Sequence, residues 1–292
     1  MGLIKIFSVG IRFSDDLVSY FLLKKKVPVV FFDGRKNVGD LLNLYFLEKL
    51  FGFRCYKPKT NFLPHLRIVG SVLGSASKNS FIFGGGSIDG VFIKRGLKQE
   101  KIFALRGKLS LGVVRKVLGD EDFNVPLGDP ALLLPLIYKG NKEPVKKSGK
   151  IGVVPHFVDK NNFLLSKITD REDVVIIDVE SDVEDFVDSI LSCDYILSSS
   201  LHGLIISDAY RIPNKWIVFS DLIIGGEYKF KDYYSTTSNV DEEPTQADSI
   251  QRLDLLLGQL PLVCSVKEYL FNFDDLMKAI RKIPYVHSRF SI

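Results

Sequence analysis

The 292 residues carry 39 basic and 35 acidic side chains, a formal net charge of +4, with 46% hydrophobic and 25% charged residues. That is the balance of a soluble globular protein with core enough for one large or two ordinary domains, and so even a mixture of charges makes no case for nucleic-acid binding. Cys55, Cys193 and Cys264 are far apart and odd in number, which suggests neither a disulfide framework nor a zinc cluster and fits a reducing cytoplasm.

Met1 to Gly10 has a short apolar run without a signal-peptide pattern, and Leu3–Val9 is expected to be a strand. No segment reaches the ~20 apolar residues of a bilayer span, because Asp, Lys or Arg interrupts each candidate. Val27 to Phe32 reads as a buried strand leading into the loop Asp33 to Asp40. Helical spacing follows over Leu41 to Phe51, with Leu42, Tyr45, Phe46 and Leu50 on one face. In that loop Asn37, Gly39 and Asp40 either present a ligand with donors from a strand-to-helix turn or cap the helix.

Phe81 to Ile88 repeats the pattern: a short strand, three glycines and a serine, so that backbone at Gly85, Gly86 and Ser87 can approach a ligand or another strand closely. Lys101 to Gly107 reads as a strand that delivers Arg106 to its end. A guanidinium there either clamps a carboxylate or phosphate by two parallel hydrogen bonds or makes a surface salt bridge. Leu127 to Pro135 is a polar turn, in which Asp129 either holds the loop or faces a sugar, followed by an apolar run. Beyond it, Tyr138 to Lys150 is lysine-rich with little to bury and is expected to be a linker.

A second series begins at Lys150 to His156 and continues with the strand Asp173 to Asp178 and the amphipathic helix Val183 to Leu191. Tyr195 to Leu197 is a short strand, Ser198 to Ser200 a polar turn, and Leu204, Ile205, Asp208 and Ala209 keep a helical rhythm that ends before Pro213. Lys215 to Phe219 is the next strand. Strand and helix signals alternate, which predicts a parallel α/β sheet. His202 then sits in the first helical turn, where N–H groups without helical partners and the helix dipole attract anions. The alternative is a helix-start histidine bonded to its neighbours. His156 lies just past a strand end, on the same edge as the Ser198 turn if both strands are parallel.

Asp221 to Ser235 is aromatic and basic. Its Lys229, Asp232 and Tyr233 either meet a sugar by stacking and hydroxyl bonding or belong to a packed helix. Asn239 to Asp248 is an acidic loop. Ser265 to Ile283 has helical spacing through Tyr269, Phe273, Leu276 and Ile280, with a basic tail from Lys278 to Arg289. That tail either packs back on the N-terminal half or makes peripheral contact with anionic lipid. The expected division is 1–138, a linker at 139–150, 151–264, and a C-terminal helix and tail at 265–292.

The run Ser199-Ser-Leu-His202-Gly-Leu-Ile-x-x-Asp208-Ala-Tyr-x-Ile-Pro213 resembles the signature of the polysaccharide pyruvyl transferase family, in particular its ketal-forming exopolysaccharide branch. Asn37-Val-Gly-Asp40, Phe83-Gly-Gly-Gly-Ser87, Leu105-Arg-Gly107, Leu127-Gly-Asp-Pro-Ala131 and Gly226 to Ser235 agree with it in order. Many members carry Arg where this chain has Ser200. The resemblance implies two Rossmann-like α/β domains facing a cleft, similar to a two-domain glycosyltransferase fold. It implies phosphoenolpyruvate as donor substrate with no cofactor or metal, and a lipid-linked oligosaccharide or polysaccharide precursor as acceptor, handled in the cytoplasm at the inner face of the membrane. His202 is then expected to move protons, Arg106 to hold the donor anion and His156 to assist phosphate or proton transfer. Asn37, Gly39, Asp40, Gly85, Gly86, Ser87, Ser199, Ser200, Gly203, Lys229, Asp232 and Tyr233 are expected to contact substrate. The rival readings are a nucleotide-sugar glycosyltransferase and a non-catalytic carbohydrate-binding relative.

Overall fold

A computed structural model describes residues 26–91, 96–141 and 148–284. The expected strand Leu3–Val9 and the tail beyond residue 284 lie outside the described residues. In chain order the elements are β1 (Lys26–Pro28), α1 (Val38–Phe51), β2 (Arg54–Tyr56), β3 (His65–Arg67), β4 (Ser80–Ile82) and α2 (Lys108–Leu118). They continue with β5 (Ile151–Val154), α3 (Phe163–Ile168), β6 (Val174–Ile176), α4 (Val183–Leu191), β7 (Tyr195–Ser198), α5 (Leu201–Ala209) and β8 (Asn214–Val218). The last are α6 (Tyr228–Tyr234), β9 (Thr245–Gln246), α7 (Ile250–Leu257), α8 (Leu260–Val263) and α9 (Phe273–Arg281). Among the described residues no helix is long and apolar enough to cross a membrane.

The chain falls into two compact units. One takes the described residues of Met1–Gly34, Asn43–Pro130 and Asn272–Ile292, the other those of Arg35–Leu42 and Ala131–Phe271. In the first unit the strands are short, and among the described residues every pairing is parallel: β1 with β2, β3 with β4, and single bridges Val29–Leu66, Ile82–Ile102, Gly85–Leu105 and Leu105–Leu127. The strand expected over Lys101–Gly107 is present only as these bridges. Gly84 has φ +71°, and a Cβ there would lie 2.3 Å from the Pro130 ring. Leu73, Ile82, Ile102, Leu105, Leu111, Val114 and Leu127 form a core under this edge.

The second unit is built on one five-stranded parallel sheet with the order β6-β5-β7-β8-β9. Side chains alternate across it as a pleated strand requires. Ile151, Val153, Leu197, Ile217 and Phe219 join α3 and α7 in one core. The opposite face meets α5, where a Cβ on Gly203 would come within 2.9 Å of Val154. Each fully buried Leu, Ile or Phe of this kind contributes about 1.5–3 kcal/mol. Parallel strands covered on both faces are the usual result of strand and helix alternation.

Two local expectations change, at residues 265–272 and in the acidic loop. Residues 265–272 are not helical: Ser265 and Tyr269 bridge Asn214 and Thr237 in antiparallel fashion, and α9 starts only after Asn272, whose side chain accepts the Asp274 N–H. The acidic loop contains β9, the edge strand of the sheet. The ends of the lysine-rich stretch are fastened to the second unit. Tyr138 donates to Asp188 at 2.9 Å, and the N–H groups of Ser148 and Gly149 donate to Asp194 at 3.0 and 2.8 Å.

Candidate functional site

Along the chain, the strands of the large sheet stand in the order second, first, third, fourth, fifth. The crossovers therefore diverge between β5 and β7, and a crevice opens over the carboxyl ends of those two strands, where open α/β sheets bind ligands. His156 follows β5, and the Ser198–His202 turn follows β7.

Hydrogen bonds lock the two turns together. The Ser199 N–H donates to the Val154 carbonyl at 3.1 Å, and the His156 N–H donates to Ser199 Oγ at 2.8 Å. The Ser199 hydroxyl in turn donates to Asp159 at 3.2 Å, and Ser220, just past β8, donates to the other oxygen of that carboxylate at 2.5 Å. Asp159 is 2% exposed. Burial raises its pKa, against the two serine hydrogen bonds that lower it. One buried carboxylate thus ties the ends of β5, β7 and β8.

The turn into α5 is held by Ser198, whose Oγ accepts the Ser200 N–H at 3.0 Å. Ser200 occupies the N-cap position, but its side chain makes no capping hydrogen bond. The anion-attracting end of α5 is therefore not closed by a side chain of its own cap. His202 stands in its first turn and meets Gly39: a Cβ added there would lie 2.0 Å from His202 Nδ1. Gly39 belongs to the start of α1, where Asn37 Oδ1 accepts the Asp40 N–H at 3.0 Å and the Asn37 amide bonds the Asp40 carboxylate. Asn37 and Asp40 cap the helix, and the Val38 N–H is fixed to the Val179 carbonyl at 2.7 Å.

The same segment carries Arg35, whose guanidinium lies 5.5 Å from the Phe157 ring centroid, while the Phe157 and His156 rings are 4.3 Å apart. The His156 imidazole is pushed down to about 3, by burial first and then by the charges of Lys229 and Arg35. It is a neutral donor and acceptor at neutral pH.

The first unit holds the glycine loop and Arg106. That guanidinium is fully buried, donates to the Ser87 carbonyl at 2.5 Å and to Ser71 Oγ at 3.2 Å, and fills the space that a Cβ on Gly86 would need, 2.3 Å away. Gly85 bridges Leu105, and the Ser87 N–H donates to Ser110 at 2.9 Å. Asp129 is fully buried at this edge.

The aromatic cluster of α6 is core. Asp232, Tyr233 and Tyr234 are fully buried, and Trp216 stacks on Phe230 with centroids 4.5 Å apart. Tyr233 donates to Asp208 at 2.8 Å, so its hydroxyl serves the packing. Asp208 also accepts from Asn214 at 2.7 Å and from the Lys267 N–H at 2.8 Å, which explains a carboxylate in the middle of the α5 signature as a knot beneath the site. Sequence reasoning missed Arg35, Asp159, Ser220 and Lys267. The only signal for the nearest of them was a carboxylate three residues after His156.

Among the described residues no group of three or more His, Cys, Asp or Glu is arranged to hold a metal ion. No solved structure matches the chain. The uncharacterized protein L143 of Acanthamoeba polyphaga mimivirus is 32% identical over 222 residues, 73% of this chain and 75% of that protein. The succinoglycan biosynthesis protein ExoV of Rhizobium meliloti (strain 1021) is 26% identical over 204 residues, 68% of this chain but 61% of that protein. Residues 18–221, which include both histidine turns, the glycine loop and Arg106, match the polysaccharide pyruvyl transferase family, and the chain belongs to that family.

Proposed function

We propose that the protein transfers the pyruvyl group of phosphoenolpyruvate to a sugar diol of a polysaccharide precursor, forming a pyruvate ketal and releasing phosphate. The observation that carries this reading is the convergence of His156 and His202 on the switch point, beside a helix end that no side chain of its cap closes. Family membership supports the pyruvyl chemistry, and the printed name of ExoV supports a place in polysaccharide biosynthesis. The strand order supports a Rossmann-like reading of the second unit.

In this scheme the methylene carbon of the donor gains a proton, which leaves cationic character on C2. One sugar hydroxyl forms a bond to C2 and gives up its proton. The C2–O bond to phosphate breaks with its electron pair, and the second hydroxyl closes the ketal and loses its own proton. Of the two hydroxyl protons, one replaces that spent on the methylene carbon and one leaves on phosphate. His202 moves the proton to carbon, a task suited to an imidazole. His156, neutral and held through Ser199, hydrogen-bonds the phosphate. Arg106 acts through the loop that it pins, and the acceptor is a lipid-linked sugar presented at the cytoplasmic face of a membrane.

The test is incubation of the purified protein with labelled phosphoenolpyruvate, or with a labelled nucleotide sugar, and a lipid-linked oligosaccharide. Label on the oligosaccharide from phosphoenolpyruvate, with phosphate released in equal amount, is the expected result. Label from the nucleotide sugar alone makes it a glycosyltransferase, and label from neither makes it a carbohydrate-binding relative.

A further inference from the structure

Beside the His156 imidazole, which burial keeps neutral, the Arg35 guanidinium lies 5.5 Å from the ring centroid of Phe157. Arg35 comes from the segment that leads into α1 and lies over Phe157, whose ring is 4.3 Å from that of His156; Lys229 comes from α6, and its charge adds to the lowering of the His156 pKa. Arg35 is braced. Its Nε donates to Glu180, and Lys160 donates to the same carboxylate and to Asp178, at 2.5 and 2.7 Å. Lys160 thus holds both acids, and Glu180 is shared between Lys160 and Arg35. Among the described residues, Glu180 is the one ion-pair partner of Arg35, reached through Nε. An ion pair in which Arg35 is 44% exposed contributes little to stability, so the arrangement holds the guanidinium in place rather than holding the fold together.

We propose that Arg35, with Lys229, clamps the phosphate group of the donor against His156, an assignment that rests on the pyruvyl-transfer reading. A guanidinium presents a planar fork that matches phosphate, while an ammonium supplies a point charge. The groups around His156 fit that division: Arg35 on one element, Lys229 on another, and on the imidazole's own loop Asp159, whose carboxylate is occupied by Ser199 and Ser220. The segment that brings Arg35 to His156 also sets Gly39 against His202. A shift of this one segment would therefore change the phosphate clamp and the proton carrier together. It also supplies an arginine to a site whose signature has serine at position 200.

The test uses the full chain with labelled histidine. The chain has four histidines, and the His156 resonance is assigned by its loss in His156→Gln. Inorganic phosphate and, separately, pyruvate are titrated into wild type, Arg35→Gln, Arg35→Lys and Lys229→Gln. Phosphate is expected to perturb His156 and to bind Arg35→Gln about tenfold or more weakly than wild type, as loss of hydrogen bonds to a charged group implies. Arg35→Lys should fall between them, and pyruvate should show no dependence on Arg35. Without ligand, the His156 pKa should rise in Arg35→Gln, because the guanidinium charge beside it is gone; no rise would overturn the placement of Arg35 at the imidazole. Equal phosphate affinity in wild type and Arg35→Gln, both with unaltered melting, overturns the clamp. So does an Arg35 dependence seen with pyruvate and not with phosphate. Arg35-dependent phosphate binding without pyruvyl transfer from phosphoenolpyruvate would leave the clamp and remove the functional reading. Transfer at full rate by Arg35→Gln would do the reverse.

Discussion

Each unit sets an arginine and a glycine beside the end of a parallel strand, and the two pairs do opposite work. Arg106 is fully buried and bonded to Ser71 and to the Ser87 carbonyl, with Gly86 pressed against its guanidinium. Arg35 is nearly half exposed and braced by Glu180 beside a neutral imidazole, and Gly39 of its segment is pressed against the other histidine. Motif reasoning favours Arg106, because its position is announced by a strand and three glycines. Burial and partners favour Arg35. A guanidinium already satisfied by backbone and hydroxyl shapes a loop, whereas one held through a single nitrogen at a crevice mouth is placed to meet an anion.

The sharpest way to break this comparison is at the histidine that Gly39 covers. His202→Ala should lower pyruvyl transfer by about 100-fold or more, the usual contribution of a general acid or base, with an unaltered melting temperature. Gly39→Ala should be nearly as damaging, although alanine ordinarily favours a helix by about 1 kcal/mol. Its Cβ would lie 2.0 Å from His202 Nδ1. In the His202→Ala background that conflict is absent, and the same substitution should raise the melting temperature. A Gly39→Ala enzyme with wild-type turnover would show that the two do not act together.

Arg106→Lys should separate the two arginines. Lysine cannot reach both Ser71 and the Ser87 carbonyl, and leaving buried acceptors unmet costs about 1–3 kcal/mol. Thermal melting should fall, while phosphate affinity at His156 should stay within about twofold of wild type, a factor worth well under 1 kcal/mol. Unaltered melting with a raised donor KM would return Arg106 to the donor site.

The acid limb of stability tests His156 in the opposite direction from an ordinary surface histidine. Its folded pKa of about 3 lies below the unfolded value of 6.5, so the unfolded chain binds the extra proton between them. The contribution of this histidine is complete above pH 6.5 and is lost as pH falls toward 3. His156→Gln should flatten that part of the stability profile, and phosphate should move the limb of the wild type to lower pH while it remains bound. A profile identical in both proteins would mean that the imidazole is not buried among cations.

The smallest effect is expected at α9. Leu276, Ile280 and Ile283 are buried, whereas Lys278, Arg281, Lys282 and the Phe273 ring are exposed, so among the described residues of this segment mainly charge is left to meet anionic lipid. Changing those three to glutamine should remove weak, salt-sensitive sedimentation with anionic vesicles, on the order of 1 kcal/mol per charge. Equal sedimentation of the two proteins would end the membrane-contact proposal.

Local pattern alone determined a good part of this protein. The amphipathic spacing of Val183–Leu191 becomes α4 over those same residues, and the apolar run before Ser198 becomes β7 with His202 in the first turn of α5. Asn37 and Asp40 announced their cap because capping bonds span only three residues. What local pattern could not decide was which distant residues share a site. Gly39 and Arg35 lie in the first quarter of the sequence but pack with the second unit. Asp159 gains meaning only when Ser199 and Ser220 come to it from two other strands. Tyr233, which reads on paper like a sugar platform, is drawn into the core by Asp208. Periodicity reports which side of an element is apolar, whereas the partners of a buried charge are chosen by packing across the sheet, and that is settled only in three dimensions.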